Sequence, residues 1–251
     1  MDELKEAHLS YTESLGGEQV LLLLHGLFGA TGNFKGIQEA FKETYNVVTP
    51  QLPIMDMPLK ELSLDGLVDK VYHFVNRKQY NKIHLVGNSL GGHLAQIFAL
   101  RYPDKVSSIT LTGSSGLFEN SMGSTFPKRG DYDFIKKKAE GIFYDSATAT
   151  KEIVDEVFDI VNDRNKAIRI VVTAKSAVRN NLEDKISKIE APVLLVWGRD
   201  DTITPLWVGE KFHSILPNSQ LEIVDACGHA PMMEHPQRFN EVLSEFLQGI
   251  D

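Results

Sequence analysis

Ser89 has the sequence surroundings of a catalytic nucleophile. Residues 87–91 read Gly-Asn-Ser-Leu-Gly, which fits the pattern G-x-S-x-G. An apolar run at 83–86 precedes this segment and a helical pattern begins at Leu90, so the serine lies where a strand turns sharply into a helix. Such a turn exposes the hydroxyl and strains the backbone, and the flanking glycines avoid collisions across it. Because a serine hydroxyl is a weak nucleophile at neutral pH, its activation requires a base.

His229 is the candidate base. Among the eight histidines, it is the one that lies in a glycine-flanked loop after a late apolar run, at 221–224. A neutral imidazole can take the proton of a serine hydroxyl when a carboxylate orients the ring. Asp200 and Asp201 follow the apolar run at 193–197, and we expect one of the two to orient His229. The chain order serine, aspartate, histidine matches one of the known arrangements of such triads.

The segment 25–29 contains candidate ligands for an oxyanion. It reads His-Gly-Leu-Phe-Gly and follows the apolar run at 20–24. Its glycines allow a close backbone approach, so we expect the N–H groups of Leu27 and Leu90 to form an oxyanion hole. His25 is predicted to be a structural hydrogen-bonding residue of this loop. Phe28 is predicted to face the substrate pocket, with a place in the core as the alternative.

A sheet is needed to bring these residues together. Six short apolar runs alternate with helical patterns, and the most continuous runs are typical of strands buried on both faces of a parallel sheet. The predicted strands are 20–24, 45–49, 83–86, 106–111, 193–197 and 221–224, and predicted helices include 62–77, 90–102 and 236–247. This alternation predicts an α/β fold with a mostly parallel central sheet flanked by helices. Since the candidate residues all follow strands, we expect them at the carboxyl edge of the sheet, where such folds bind ligands.

The alternation is interrupted at 117–190. Apolar residues at helical spacing predict helices at 151–163 and 164–179. We interpret 117–190 as a helical cap inserted between two strands, and 1–116 together with 191–251 as the core domain. The apolar faces within 153–161 and 168–178 are expected to bury over the edge that carries Ser89. The alternative is a surface elaboration of the fold.

Composition and charge limit the classes of function. The 251 residues are 42% hydrophobic and 24% charged, as is usual for a globular domain, and the net charge of −8 argues against a general nucleic-acid binder. Residues 1–6 lack the apolar core of a signal peptide, the run at 20–24 is too short to cross a bilayer, and a single cysteine suits a reducing compartment. We therefore expect a cytoplasmic protein without membrane association. No cluster of ligands has zinc or iron spacing, so no metal or organic cofactor is predicted. The sequence specifies no oligomeric state.

The four motifs, taken in order, resemble the α/β-hydrolase fold family over essentially the whole chain. They are His25-Gly26, the segment 87–92, the segment 198–205 that begins Gly-Arg-Asp-Asp, and Gly228-His229. In that family the acid usually stands three residues after the glycine, so the resemblance assigns it to Asp201. The serine also separates the chain from the haloalkane dehalogenase and epoxide hydrolase branches, which have aspartate at the nucleophile position.

The resemblance implies a serine hydrolase, and we expect its substrates to be small carboxylic esters or related acyl compounds. An alternative is a hydrolase that cleaves a carbon–carbon bond in a dienoic ring-fission product, a group that Asn88 and the Trp-Gly-Arg-Asp-Asp run also resemble. Asn88 is also predicted to line the pocket, and in that alternative a cap arginine such as Arg164 would pair with a substrate carboxylate. Ala230 favours the ester, because the carbon–carbon hydrolases often have tryptophan there. A third interpretation, from another class, is a ligand-sensing module.

Overall fold

A seven-stranded sheet lies at the centre of the fold. The computed structural model describes residues 9–29, 31–119 and 128–250. Its strands are β1 (Tyr11–Glu13), β2 (Val20–Leu24), β3 (Asn46–Pro50), β4 (Ile83–Asn88), β5 (Val106–Thr112), β6 (Val193–Gly198) and β7 (Ser219–Val224). They are arranged in the order β1-β3-β2-β4-β5-β6-β7, and all pairs are parallel except β1 with β3. The mostly parallel sheet predicted from the sequence is confirmed.

Helices cover both faces of this sheet. They are α1 (Lys35–Phe41), α2 (Leu64–Arg77), α3 (Leu90–Arg101), α4 (Tyr132–Glu140), α5 (Lys151–Asn162), α6 (Arg164–Arg179), α7 (Leu206–Ile215), α8 (Pro231–Glu234) and α9 (Pro236–Gln248). In β2, Leu21 and Leu23 join the core under α1 and α9, whereas Leu22 and Leu24 join the core under α2, α3 and α7. The uninterrupted leucines of β2 are explained by burial on both faces.

The predicted strands agree closely with the structure. All six are present, with ends that differ by at most two residues from the expected ones. The sequence analysis missed β1, a three-residue antiparallel edge strand on β3 whose residues are mostly exposed. A short, exposed strand lacks the apolar run that revealed the others. Residues 1–6 and 120–127, on which parts of the signal-peptide and cap predictions rest, lie outside the described residues.

The chain between β5 and β6, here called the insertion, contains α4, α5 and α6. The prediction of a buried apolar face at 168–178 was wrong in detail, because Ile168 and Val178 are 41% and 61% exposed. The buried positions of α6 are Ile170, Thr173, Ala174, Ser176 and Ala177. Small and polar residues suit this face because α6 lies close to the start of α2, where the Leu64 N–H donates to Ser176 Oγ at 3.0 Å.

A second contact anchors the same helix. The Arg169 guanidinium donates to the carbonyl oxygens of Ile54 and Met57, in the loop that precedes α2. The insertion is therefore attached to the core through polar contacts as well as apolar ones. Among the described helices, none combines the length and the apolar character that a membrane crossing would need.

Close packing at the start of α3 predicts a strong effect of one added methyl group. A Cβ on Gly91 would lie 1.9 Å from the Leu24 carbonyl oxygen at the end of β2. We expect Gly91→Ala to lower the free energy of unfolding by about 1–3 kcal/mol or more, as overpacking does. The measurement is urea denaturation followed by circular dichroism.

Gly32→Ala is the matched control for this substitution. No described atom beyond its chain neighbours lies within 4 Å of a Cβ at Gly32, so the free energy of unfolding should change by less than about 0.5 kcal/mol. Equal effects of the two substitutions would contradict the packing explanation.

Candidate active site

Ser89 occupies a strained position between β4 and α3. Its φ of 53° and ψ of −118° lie outside the regions that L-residues favour. The strain is sustained by β5 and the residues after it, because the Ser89 N–H donates to the Thr112 carbonyl at 3.1 Å and the Ser115 N–H donates to the Ser89 carbonyl at 3.2 Å. The side chain is partly exposed, as a nucleophile must be.

The loop after β2 passes directly beside this serine. A Cβ on Gly26 would lie 3.3 Å from the Ser89 Cβ, so only glycine permits this approach without displacement. The loop then turns, and the Gly29 N–H donates to the Gly26 carbonyl at 3.1 Å. In the described part of the chain, the N–H groups of Leu27 and Leu90 have no hydrogen-bond acceptor. Both predicted oxyanion donors are thus available to a ligand.

His25 is committed to the structure of this loop. The Leu52 N–H donates to His25 Nε2 at 3.0 Å, so the ring proton lies on Nδ1, 2.8 Å from the Gly26 carbonyl oxygen. Burial lowers the pKa of His25, which keeps the ring neutral at pH 7. These contacts agree with the structural role expected for His25.

Asp201 and His229 are joined by a buried hydrogen bond. His229 Nδ1 lies 2.9 Å from Asp201 Oδ2, and both side chains are almost fully buried. An ionised carboxylate can only accept, so Nδ1 carries the proton and Nε2 is left as the basic nitrogen. The structure therefore places these two groups in the relation that an orienting acid and a base require.

The other lone pairs of Asp201 are also used. Oδ1 accepts from the N–H groups of Ile203 and Thr204 at 2.8 and 2.9 Å, and Oδ2 accepts from Thr204 Oγ1 at 2.8 Å. Burial alone would raise the pKa of Asp201, but attraction to His229 when that ring is protonated, together with the hydrogen bonds from His229 and Thr204, outweighs it. The pKa of Asp201 is therefore held below its usual value.

The neighbouring carboxylate does not share this environment. Asp200 is exposed, and its backbone N–H donates to the Cys227 carbonyl at 2.9 Å. Of the two adjacent aspartates, the structure brings only Asp201 to His229.

Asn88 has partners other than those expected of a pocket residue. Its Nδ2 donates to the carbonyl oxygens of Thr112 and His229, both at 3.1 Å. Both amide protons are therefore used to tie the histidine loop to the end of β5. The side chain is buried, and in this structure it holds the histidine loop in position.

A cavity of about 310 Å³ lies between Phe28 and the insertion. Most of its lining comes from apolar side chains at 160–172 in α5 and α6, and the charged members among the described lining residues are Arg129, Arg164 and Lys175. All three cations are exposed residues at its rim. Phe28 thus borders a cavity, as predicted, whereas Ser89 is not among the residues that line it.

Sequence reasoning missed two residues that support this site. Thr204 was detectable in principle, because a residue three positions after an aspartate commonly donates its N–H to that side chain. The second is Glu234, whose carboxylate accepts from backbone N–H groups on both sides of His229. Nothing local distinguishes Glu234 from a surface glutamate, since its partners are backbone atoms brought to it by the fold.

Comparison with known proteins places this chain in a family. The family model described as alpha/beta hydrolase fold matches residues 19–236. A 2-hydroxy-6-oxononadienedioate/2-hydroxy-6-oxononatrienedioate hydrolase of Paraburkholderia phymatum is 31% identical, over 96% of this chain and 91% of the relative. A monoacylglycerol lipase of Bos taurus is 26% identical over 94% of this chain and 77% of that protein.

Solved structures agree with this placement. An α/β-hydrolase enzyme from the metagenome of lagoon sediments at Mar Chica, Morocco, is 36% identical. It superposes with a TM-score of 0.79, over 96% of this chain and 98% of that one. The family model matches most of the chain, the relatives align over nearly all of it, and a strained serine follows β4. The chain therefore belongs to the α/β-hydrolase fold family.

Proposed function

We propose that this protein is a serine-dependent hydrolase that cleaves a carbon–carbon bond in a 2-hydroxy-6-oxo-dienedioate. The observation that carries the proposal is the 31% identity, over 96% of the chain, to a relative named for that reaction. The sequence alone favoured an ester as substrate. The relative supports the carbon–carbon alternative better than the ester.

The proposed reaction uses Ser89, His229 and Asp201 as a catalytic triad. Ser89 Oγ attacks the 6-oxo carbon of the substrate in its 2-oxo tautomer, and His229 Nε2 takes the hydroxyl proton. Asp201 keeps the proton of the ring on Nδ1 and stabilises the imidazolium. The N–H groups of Leu27 and Leu90 donate to the oxygen that becomes negative.

Collapse of this intermediate breaks the bond between C5 and C6. The electron pair passes to C5 and is delocalised through the double bond onto the 2-oxo oxygen, and His229 returns its proton to the departing carbon. The remaining acyl group stays on Ser89. Water, deprotonated by His229, attacks this acyl carbon, the second carboxylic acid leaves, and the serine recovers its proton.

The cavity between Phe28 and the insertion suits a substrate of this type. Its apolar walls can bury a carbon chain, and Arg129, Arg164 and Lys175 can pair with carboxylates at its rim. In this proposal the insertion is a cap over the site. Arg164 was the cap arginine expected for a carbon–carbon hydrolase, and it is an exposed member of the lining. A mostly apolar lining with an exposed Arg164 suits an ester better, so the carbon–carbon proposal rests on the relative and not on this arginine.

Ester hydrolysis is the second candidate. Apolar side chains form most of the cavity lining, and the lipase from Bos taurus acts on a monoacylglycerol by its name. The same triad would serve both reactions, because each begins with attack of Ser89 on a carbonyl carbon.

The first test compares the two substrates on one enzyme. We expect kcat/KM to be higher for a 2-hydroxy-6-oxo-dienedioate, followed by loss of dienolate absorbance, than for p-nitrophenyl acetate. Ser89→Ala should lower kcat roughly 10⁴-fold or more and abolish labelling by a fluorophosphonate. Turnover of the ester alone would support ester hydrolysis, the second candidate. Absence of both turnover and labelling would support the interpretation as a ligand-sensing module.

A second test separates the two aspartates. We expect Asp201→Asn to lower kcat roughly 10⁴-fold, because the amide no longer holds the proton of His229 on Nδ1. Asp200→Asn is the matched control, since its side chain is exposed. Steady-state kinetics of both variants decide which aspartate orients His229. A larger loss of kcat in Asp200→Asn would assign that role to Asp200.

A third test concerns the charge at the cavity rim. We expect Arg164→Ala to raise KM for the dienedioate about tenfold, which corresponds to about 1.4 kcal/mol, while KM for neutral p-nitrophenyl acetate is unchanged. Arg179→Ala is the control, because Arg179 ends the same helix and is not among the lining residues. The same KM change for both substrates would rule out recognition of a carboxylate by Arg164.

A further inference from the structure

The carboxylate of Glu234 links two segments that are far apart in sequence. Glu234 ends α8, five residues after His229. Its Oε1 accepts from the N–H groups of Gly228 and Ala230 at 2.9 and 3.4 Å, the two neighbours of the histidine. Its Oε2 accepts from the Tyr144 N–H at 2.7 Å, in the part of the insertion that follows α4. One side chain therefore holds the histidine loop and the insertion together.

The insertion also contacts the histidine directly. The His229 N–H donates to the Ile142 carbonyl at 3.0 Å. The backbone fits so closely here that a Cβ on Gly228 would lie 2.6 Å from the same carbonyl oxygen. Beside it, Thr202 Oγ1 donates to the Gly141 carbonyl at 3.0 Å, which ties the loop of Asp201 to the insertion.

These contacts satisfy three successive N–H groups around the proposed base. Gly228 and Ala230 donate to Glu234, and His229 donates to Ile142, so none of the three is paired within its own loop. Because each bond fixes a backbone atom within one residue of His229, losing them would free the loop to move. The Asn88 amide holds only the carbonyl of His229, and Asp201 holds only its ring, so the bonds to Glu234 and Ile142 are the ones that fix the N–H groups of the loop.

We propose that Glu234 is a positioning residue for His229, and that segment 141–144 of the insertion is part of the same support. The insertion then does more than enclose substrate: its backbone helps to set the position of the base. This inference rests on the proposed role of His229. It adds that the activity of the triad depends on a carboxylate that touches neither the substrate nor the ring.

The surroundings of Glu234 suit a charged acceptor. Cys227 Sγ lies 3.8 Å from Oε1, and burial together with the nearby Glu234 raises the pKa of this thiol, which therefore stays uncharged. All the close partners of the carboxylate are donors. Substitution by glutamine keeps one acceptor oxygen and turns an NH₂ group toward either the histidine loop or Tyr144.

The test uses p-nitrophenyl acetate and the rate of fluorophosphonate labelling, so that it does not depend on the carbon–carbon substrate. We expect Glu234→Ala to lower kcat and the labelling rate roughly 10²-fold with KM unchanged, as small displacements of catalytic groups do. Glu234→Gln should show a smaller loss. Glu241→Ala is the control, since Glu241 is an exposed carboxylate on α9 that pairs with Arg238 at 3.7 Å.

A spectroscopic measurement reports on the histidine without any reaction. The His229 Nδ1 proton, hydrogen-bonded to Asp201, should give a low-field proton NMR signal. We expect this signal to shift or broaden in Glu234→Ala and to be retained in Glu241→Ala. Lower thermal stability with unchanged kcat, labelling rate and NMR signal would overturn the proposal. An inactive wild-type protein that still shows the NMR difference would refute the proposed function and not the positioning.

A second pair of variants tests the contact between Glu234 and the insertion, and this pair decides between support and no support of His229 if Glu234→Ala does not fold. Tyr144→Pro removes the N–H that Oε2 accepts, whereas Tyr144→Ala keeps it, and the Tyr144 side chain is 58% exposed. We expect a lower kcat and labelling rate for the proline variant only. Equal rates in the two variants would show that the insertion does not support the base.

Discussion

The buried hydrogen bond between Asp201 and His229 depends on the neighbouring positions of β6 and β7. These strands pair in parallel with Gly198 opposite Val224, so the loops that follow them leave the sheet at the same place. A carboxylate can be buried there because four donors satisfy it. The site is therefore a consequence of strand order and register, and a shift of one residue between the two strands would separate its members.

The same dependence on neighbouring strands holds for Ser89. Its strained backbone is hydrogen-bonded to the end of β5, and the loop after β2 passes beside it. β4 lies between β2 and β5 in the sheet, so both supports are adjacent to the serine. The strained backbone is held by contacts from the two strands that flank β4, which is how an unfavourable φ persists in a folded protein.

The insertion takes part in two features of the structure. Its helices form most of the cavity whose rim carries three cations, and its segment 141–144 is hydrogen-bonded to the histidine loop. Arg169 and Ser176 also attach it to the loop before α2 and to the start of that helix. In the proposed function, substrate recognition and positioning of the base share this one structural element, and substitutions within the insertion are then expected to affect both.

Local pattern in the sequence was sufficient for the strands, the serine turn and the order of the motifs. Runs such as 20–24 are apolar because both faces are buried, and the glycines at 87 and 91 mark a turn that only small residues permit. The choice between Asp200 and Asp201 came from family spacing, and the structure agrees because consecutive side chains on a loop point in different directions. The short edge strand β1 and the inward face of α6 were not predictable, since neither has an apolar run or a regular apolar stripe.

Only the tertiary structure assigned partners to the polar groups. Asn88 donates its amide to the histidine loop, and Glu234 joins the loop to the insertion. These partners are 141, 6 and 90 residues away along the chain, and they are backbone atoms that carry no sequence signature. Hydrogen bonds to backbone atoms depend on where the chain passes and not on which residue it carries. The sequence therefore identified the residues of the proposed triad, and the fold determined what holds them in place.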